Sequence, residues 1–418
     1  MEYRRIQGVD KPVSRLLMGT ASPAFTGGEA QNELLDAAFA EGINTIDTAR
    51  VYGLAEKSIG IWLRERGNRD QIVILSKCAH PDAKGRKRVS EREIREDFAR
   101  SSELLGTGYI DIYLLHRDDP EQEAGIAVEI LNAMHAEGKI GAFGGSNWTH
   151  TRIQEANEYA YRRGLIPFTV SSPHYSLAVQ REDPWGGGCV TVTGEENAEA
   201  RDWYRENQMP LIAYSSLGRG LLTGKIRSSD AGRAEQILDS FAMKGYGSAE
   251  NFERLARCEQ LAEKKGCTVA QIAMAWLYRQ PQNTFAIATM SSPKRIRENV
   301  DALFLELSQE ELDYLGAFRS SPRPPSDRIE LWENVWPGLS DRRLLTLYCK
   351  LSIEQFSDHL ALPTPLLGVF LFASEAAGMR KMRSVGRFST RYTISAVHRR
   401  TVPLSENLTG EPSPCQKT

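Results

Sequence analysis

From about residue 13 to residue 302 the chain repeats one pattern, a short β-branched or apolar run followed by a longer amphipathic stretch. That alternation restricts the fold severely, because a strand that is followed by a helix and then by another strand packs most readily as a parallel neighbour. Strand-like runs fall at 15–18, 44–47, 72–77, 109–116, 140–146, 169–172, 211–215 and 284–288. Helical periodicity occupies stretches such as 30–41, 90–105 and 149–163, and Ser90 with Glu93 three residues on forms a capping signal. Eight such units predict an α/β fold of the (β/α)8 TIM-barrel class. An open doubly wound sheet usually carries a G-x-G-x-x-G turn after its first strand, whereas this chain reads Gly19-Thr20-Ala21-Ser22 there.

The barrel pattern accounts for residues 1–320, leaving 321–418 as an atypical C-terminal extension, weakly structured by its Pro/Ser-rich start and its basic, aperiodic end. A helix-like stretch remains at 344–359, and the apolar run 360–373 is interrupted by Pro363 and Pro365, short of the roughly 20 residues that a spanning helix needs. Two connections, 176–194 and 217–248, follow strands and are predicted to form long loops at the catalytic rim as a lid or pocket wall.

A formal net charge of -2 gives no electrostatic reason to expect nucleic acid or a membrane surface as partner. Six cysteines without a C-x-x-C pair suggest neither a zinc knuckle nor a disulfide framework, and no H-x-x-x-H pattern occurs, so no metal site is expected. The polar start lacks an apolar signal segment, which with the cysteines predicts a reducing, cytoplasmic location. In that setting the sequon Asn407-Leu408-Thr409 carries no weight, and the basic residues of the tail read as a solvated run.

Four polar residues fall at or just beyond successive strand ends: Asp47, Tyr52, Lys77 and His116. In a barrel these would converge over one mouth. Tyrosine titrates near 10 and is a poor acid at neutral pH, but a lysine ammonium beside it favours the phenolate, and Asp47 would keep Lys77 charged. A tyrosine tuned in this way protonates a developing alkoxide while a neutral histidine orients the carbonyl, so reduction of a carbonyl compound is the natural chemistry.

The segments Gly42-Ile43-Asn44-Thr45-Ile46-Asp47-Thr48-Ala49-Arg50-Val51-Tyr52-Gly53, Ser76-Lys77 and Asp111-Ile112-Tyr113-Leu114-Leu115-His116 resemble the aldo-keto reductase superfamily. The resemblance implies an NADPH/NADP+ cofactor and hydride transfer to an aldehyde or ketone, with Tyr52 as general acid. It further implies that Ser146 and Asn147 hold the nicotinamide carboxamide with Ser172, where the family usually has glutamine, and that Tyr175 stacks on the ring. Ser215, Leu217, Gly218, Gly220 and Lys225 match the loop around the pyrophosphate, and Ser291, Arg295, Glu298 and Asn299 match the adenosine end, where Arg295 would face a 2′-phosphate. Trp148 and His174 become substrate-pocket residues, Trp185 a lid or loop-packing residue, and Tyr113 a core residue. His80, in the loop after Lys77, reads as a surface residue with the border of the pocket as the alternative, His135, His150 and His359 read as structural, and Arg297 as part of a solvated helix face.

Two other function classes compete. One is a non-catalytic nucleotide-binding subunit resembling the channel β-subunits; the other is a metal-dependent barrel hydrolase, which lacks a ligand set. The connection after Tyr175 resembles that of members acting on general or secondary-metabolic carbonyls. The extension matches no family motif, as either a genuine addition or a gene-model error would.

Overall fold

The computed structural model describes residues 1–317; the sequence readings at 321–418 lie outside them. A hairpin of β1 (Tyr3–Arg4) and β2 (Val13–Ser14) precedes eight parallel strands: β3 (Leu16–Gly19), β4 (Thr45–Asp47), β5 (Val73–Cys78), β6 (Ile110–Leu115), β7 (Ile140–Ser146), β8 (Val170–Ser172), β9 (Leu211–Ala213) and β10 (Thr284–Ala288). These eight close into a barrel, β10 pairing with both β3 and β9, so the sheet has no free edge.

Side chains alternate across the barrel wall. Leu17, Val73, Leu75, Ile112, Leu114, Ala142, Val170, Ile212, Phe285 and Ile287 meet inside, where Ile6, Val9 and Val13 of the hairpin segment join them as a plug. The intervening residues, including Ile74, Ile110, Tyr113 and Phe143, face the helices. The helix Glu91–Leu105 starts at Ser90, whose hydroxyl accepts from the Glu93 amide and donates to the Glu93 carboxylate. Thr149 caps His150–Arg163 by accepting from the Arg152 amide at 3.2 Å, and Gly106 and Gly164 close these two helices in left-handed conformation.

The connection at 217–248 is more ordered than an open loop. It folds into short 3-10 turns and the helix Ser240–Tyr246, and buries Leu221, Leu222, Ile226, Leu238 and Tyr246 against the helices Ala249–Lys265 and Val269–Tyr278. Its apolar residues therefore build a second core beside the barrel. Among the described residues no helix is long and apolar enough to cross a membrane.

The two environments predict different costs of truncation. Ile112→Ala, inside the barrel with no exposure, should lose about 2–5 kcal/mol in urea unfolding, whereas Ile126→Ala, at 44% exposure, should stay within about 0.5 kcal/mol of the parent.

Candidate active site

Asp47 ends β4, Lys77 lies at the penultimate position of β5, and His116 follows β6. The parallel register pairs Asp47 with Leu75 and Lys77 with Leu114, which brings these strand ends to one rim. Tyr52 reaches the same place from the turn after β4. The Lys77 ammonium contacts the Asp47 carboxylate directly, donates to the Thr48 carbonyl at 2.9 Å and lies 5.1 Å from the centre of the Tyr52 ring. Tyr52 and His116 meet edge to face with centroids 5.7 Å apart.

Burial sets the protonation states. It raises the Tyr52 hydroxyl above its ordinary range, outweighing the opposing pull of Lys77, so the phenol keeps its proton at neutral pH. The sequence argument expected the lysine to lower this group; its effect is present, but desolvation is larger. Burial works against the charge of Lys77 as well, yet Asp47 and Tyr52 together lift its pKa. His116 is driven well below its usual value by burial and then by Lys77, Arg117 and His80, which leaves a neutral imidazole.

These groups open into a cavity of about 1090 Å³, whose walls also include Ser146, Asn147, Ser215, Leu217 and Gly220. A second hollow of about 900 Å³ is lined by Ser292, Arg295, Glu298 and Asn299, and shares Leu217, Thr223 and Thr289 with the first. The two are lobes of one groove. Its two lobes and their linings suit an extended dinucleotide, and the far lobe holds a buried acceptor without a protein partner, the Asn299 Oδ1. The Asn299 amide nitrogen is spent on the Arg295 carbonyl at 2.7 Å, so that oxygen is the group left to receive an amino donor.

The rim backbone is unusual. Ala79, Asn147, Ser215 and Arg219 all hold positive φ without being glycine, and each follows the end of a barrel strand. Side-chain bonds support two of these kinks. The Ala79 amide donates to Asp97, itself gripped by Arg88 at 3.0 Å through both oxygens. Asn147 donates to the His116 carbonyl and to the Ser146 hydroxyl, and accepts from the Val190 amide and the Tyr214 hydroxyl. Strained backbone held in this way is typical of functional rims.

Several expected positions fall elsewhere. Tyr175 is buried outside the barrel, edge-on to Trp276 with centroids 5.9 Å apart, and does not reach the cavity. Strand parity explains this: Val170 points inward, Ser172 and His174 share its phase, and Tyr175 does not. In its place Tyr214, two residues beyond the inward-facing Ile212, lines the cavity together with Tyr52. The same alternation in the sequence would have found it. Ser172 donates its hydroxyl to the Ile212 carbonyl at 2.8 Å and is fully covered. His174 is sealed between Tyr214 and Tyr246, bonded to Thr191 and Ser176, so it touches no pocket. Trp148 folds back over Gly145, where a Cβ would lie 2.4 Å from its ring, and packs on Phe168; it belongs to the core. Gly218, Lys225 and Ser291 stand near the groove without forming its walls, Lys225 lying along Gly220.

In the other direction, His80 lines the cavity with its ring 5.0 Å from that of His116, the alternative to the surface role the sequence favoured. Trp185 also forms part of the wall, with Arg219 over its ring at 5.5 Å. Tyr113 is core, against Phe98, and Arg297 pairs with Glu41 on the surface, as expected.

A closed parallel barrel with a buried Lys–Asp pair, a protonated tyrosine and a neutral histidine at one end of a long groove has the architecture of a carbonyl oxidoreductase. The chain matches the Aldo/keto reductase family over residues 15–319 and belongs to that family. It is 30% identical to aldo-keto reductase str7 of Strobilurus tenacellus, over 71% of this chain and 83% of that protein. It is 29% identical to versiconal hemiacetal acetate reductase of Aspergillus parasiticus, over 75% and 96%. With NADH-specific methylglyoxal reductase of Escherichia coli it shares 30% identity over 72% of this chain and 92% of the relative.

The covered histidines make stability acid-sensitive. Burial lowers the pKa of His174 to about 3, below the unfolded value of 6.5, so its contribution is complete above pH 6.5 and is lost as the pH falls, by about 1.4 kcal/mol per pH unit. The Tm of the parent should drop between about pH 6.5 and 4.5, and His174→Gln should flatten that slope. Equal slopes for the two proteins would show that His174 is not the titrating group.

Proposed function

We propose that the protein is an NADPH-dependent aldo-keto reductase that converts an aldehyde or ketone to an alcohol, with residues 1–320 as its catalytic domain. The observation that carries this reading is the buried Asp47–Lys77 pair beside a protonated Tyr52 and a neutral His116, at the end of a two-lobed groove. The connection after Tyr175 resembles that of related reductases acting on general or secondary-metabolic carbonyls, which supports a substrate of that kind.

Bound in the groove, the dinucleotide supplies a hydride. Ser146, Asn147 and Tyr214 would border its nicotinamide, Ser215, Leu217 and Gly220 its pyrophosphate, and Arg295, Glu298 and Asn299 its adenosine end. Neutral His116 donates a hydrogen bond to the substrate oxygen and fixes its orientation. Tyr52 gives its proton to that oxygen as negative charge develops there. Lys77 stabilises the resulting phenolate, and Asp47 holds the ammonium in place and charged.

Preference for NADPH rests on Arg295, whose planar guanidinium matches a phosphate bidentately at the far lobe. A purely regulatory nucleotide-binding role would need the groove alone and gives no account of the proton-donor set.

Tyr52→Phe should lower NADPH oxidation with an aldehyde panel by at least about 100-fold while leaving NADPH binding measurable by fluorescence. An unchanged rate would remove Tyr52 as the donor, and tight binding without turnover of any carbonyl by the parent would favour the regulatory reading. Because the donor is the protonated phenol and burial raises its pKa above 10.0, the reductive rate should hold from neutral pH to about pH 10 and fall only beyond it. Arg295→Ala should raise the Kd for NADPH by about 10-fold or more with little effect on NADH. Equal weakening of both would place Arg295 away from the 2′-phosphate.

A further inference from the structure

Arg117 follows His116 directly at the mouth of the barrel and lines the catalytic cavity, yet it is only 7% exposed. Its guanidinium donates to the His116 carbonyl at 2.9 Å and approaches the Cys189 sulfur at 3.2 Å, and its stem runs beside Gly188. Both acceptors are neutral. A guanidinium carries five N–H donors and stays charged in a protein, so most of its hydrogen-bonding capacity remains to be answered and no ion pair meets its charge directly.

Two other cations around the mouth are committed to acids, while Lys87 donates to the Asp118 carbonyl at 3.4 Å. Lys77 is held by Asp47, and Arg219 by Asp239 at 3.0 Å. Among the described residues no carboxylate pairs with Arg117. Asp183, in the adjoining loop, has its two oxygens occupied by the Trp185 amide at 2.8 Å and the Cys189 amide at 2.9 Å. Asp82, which also lines the cavity, is paired with Arg86 at 3.1 Å. Asp183 feels the charge of Arg117 through space, but a cation covered to this extent without a direct ion pair is costly, and an anion brought by a ligand would offset that cost.

Resting on the reductase reading above, we propose that Arg117 receives a carboxylate carried by the substrate, so that the preferred substrates are aldehydes or ketones bearing an acid group. The position fits the chemistry. Arg117 neighbours His116 in the chain, so an anion bound there sits a short span from the carbonyl that His116 orients. The groove's other arginines are Arg219 on the first lobe, paired with Asp239, and Arg227 and Arg295 on the far lobe. A carboxylate on a guanidinium adds geometric selectivity as well as charge, because two parallel N–H groups can meet its two oxygens.

The test compares 4-carboxybenzaldehyde with its uncharged analogue 4-formylbenzamide in the parent, Arg117→Met and Arg117→Lys, using the full chain. In parallel, benzoate and benzamide binding to the NADP+-loaded protein is measured by calorimetry. The parent should favour the acid over the amide by about 10- to 100-fold in kcat/KM and bind benzoate more tightly than benzamide. Arg117→Met should collapse both ratios, and Arg117→Lys, which keeps the charge, should retain part of each. If Arg117 only pins the loop at 186–189, acid and amide will weaken in parallel and the ratios will stand, which overturns the proposal. A selective loss of NADPH affinity with the ratios intact would assign the charge to the cofactor and overturn it equally. If no aldehyde is reduced but benzoate binding depends on Arg117, the reductase reading fails while the carboxylate site stands.

Discussion

The ammonium of Lys77 is the group on which the mouth of the barrel depends. Fixed inside a protein wall, it would be too costly without Asp47, and without Lys77 the Asp47 carboxylate would be equally out of place. The pair is anchored on two adjacent strands, so its geometry follows from the register of β4 and β5 rather than from any loop. Against it rests the Tyr52 ring, which reads the cation at close range while its own burial keeps the hydroxyl protonated. These opposed effects leave a proton donor next to the charge that stabilises its conjugate base.

Around that pair the rim is built from backbone that bends sharply as it leaves the strands. Asn147 uses its whole amide to tie the ends of β7 and β6 to Tyr214 and to the segment around Val190. Asp97 secures Ala79, which places His80 against His116. The neutral state of His116 is thus supported from several sides, by burial, by Lys77 and by two further basic neighbours.

The barrel was legible because its strands alternate with helices at regular intervals, and the predicted runs agree with the observed strands to within two residues at either end. Asp47, Tyr52, Lys77 and His116 were legible because strand ends of a parallel barrel converge by construction. Tyr175 and Tyr214 show where reading by likeness went astray: both follow strands, and only the phase of the side chains decides which one enters the cavity. Trp148, adjacent to two pocket residues, is drawn out of the pocket by the space above Gly145.

By itself, then, the sequence determined the barrel, the order of its strands and the four residues at its mouth, since these depend on short-range periodicity and on chain position. Tertiary structure alone decided the balance of charge. That Tyr52 stays protonated, that His116 is neutral, and that Arg117 has no carboxylate among the described residues while Arg219 has Asp239 are matters of burial and of neighbours distant in the chain. Desolvation and pairing act through space, and no local pattern of residues encodes them.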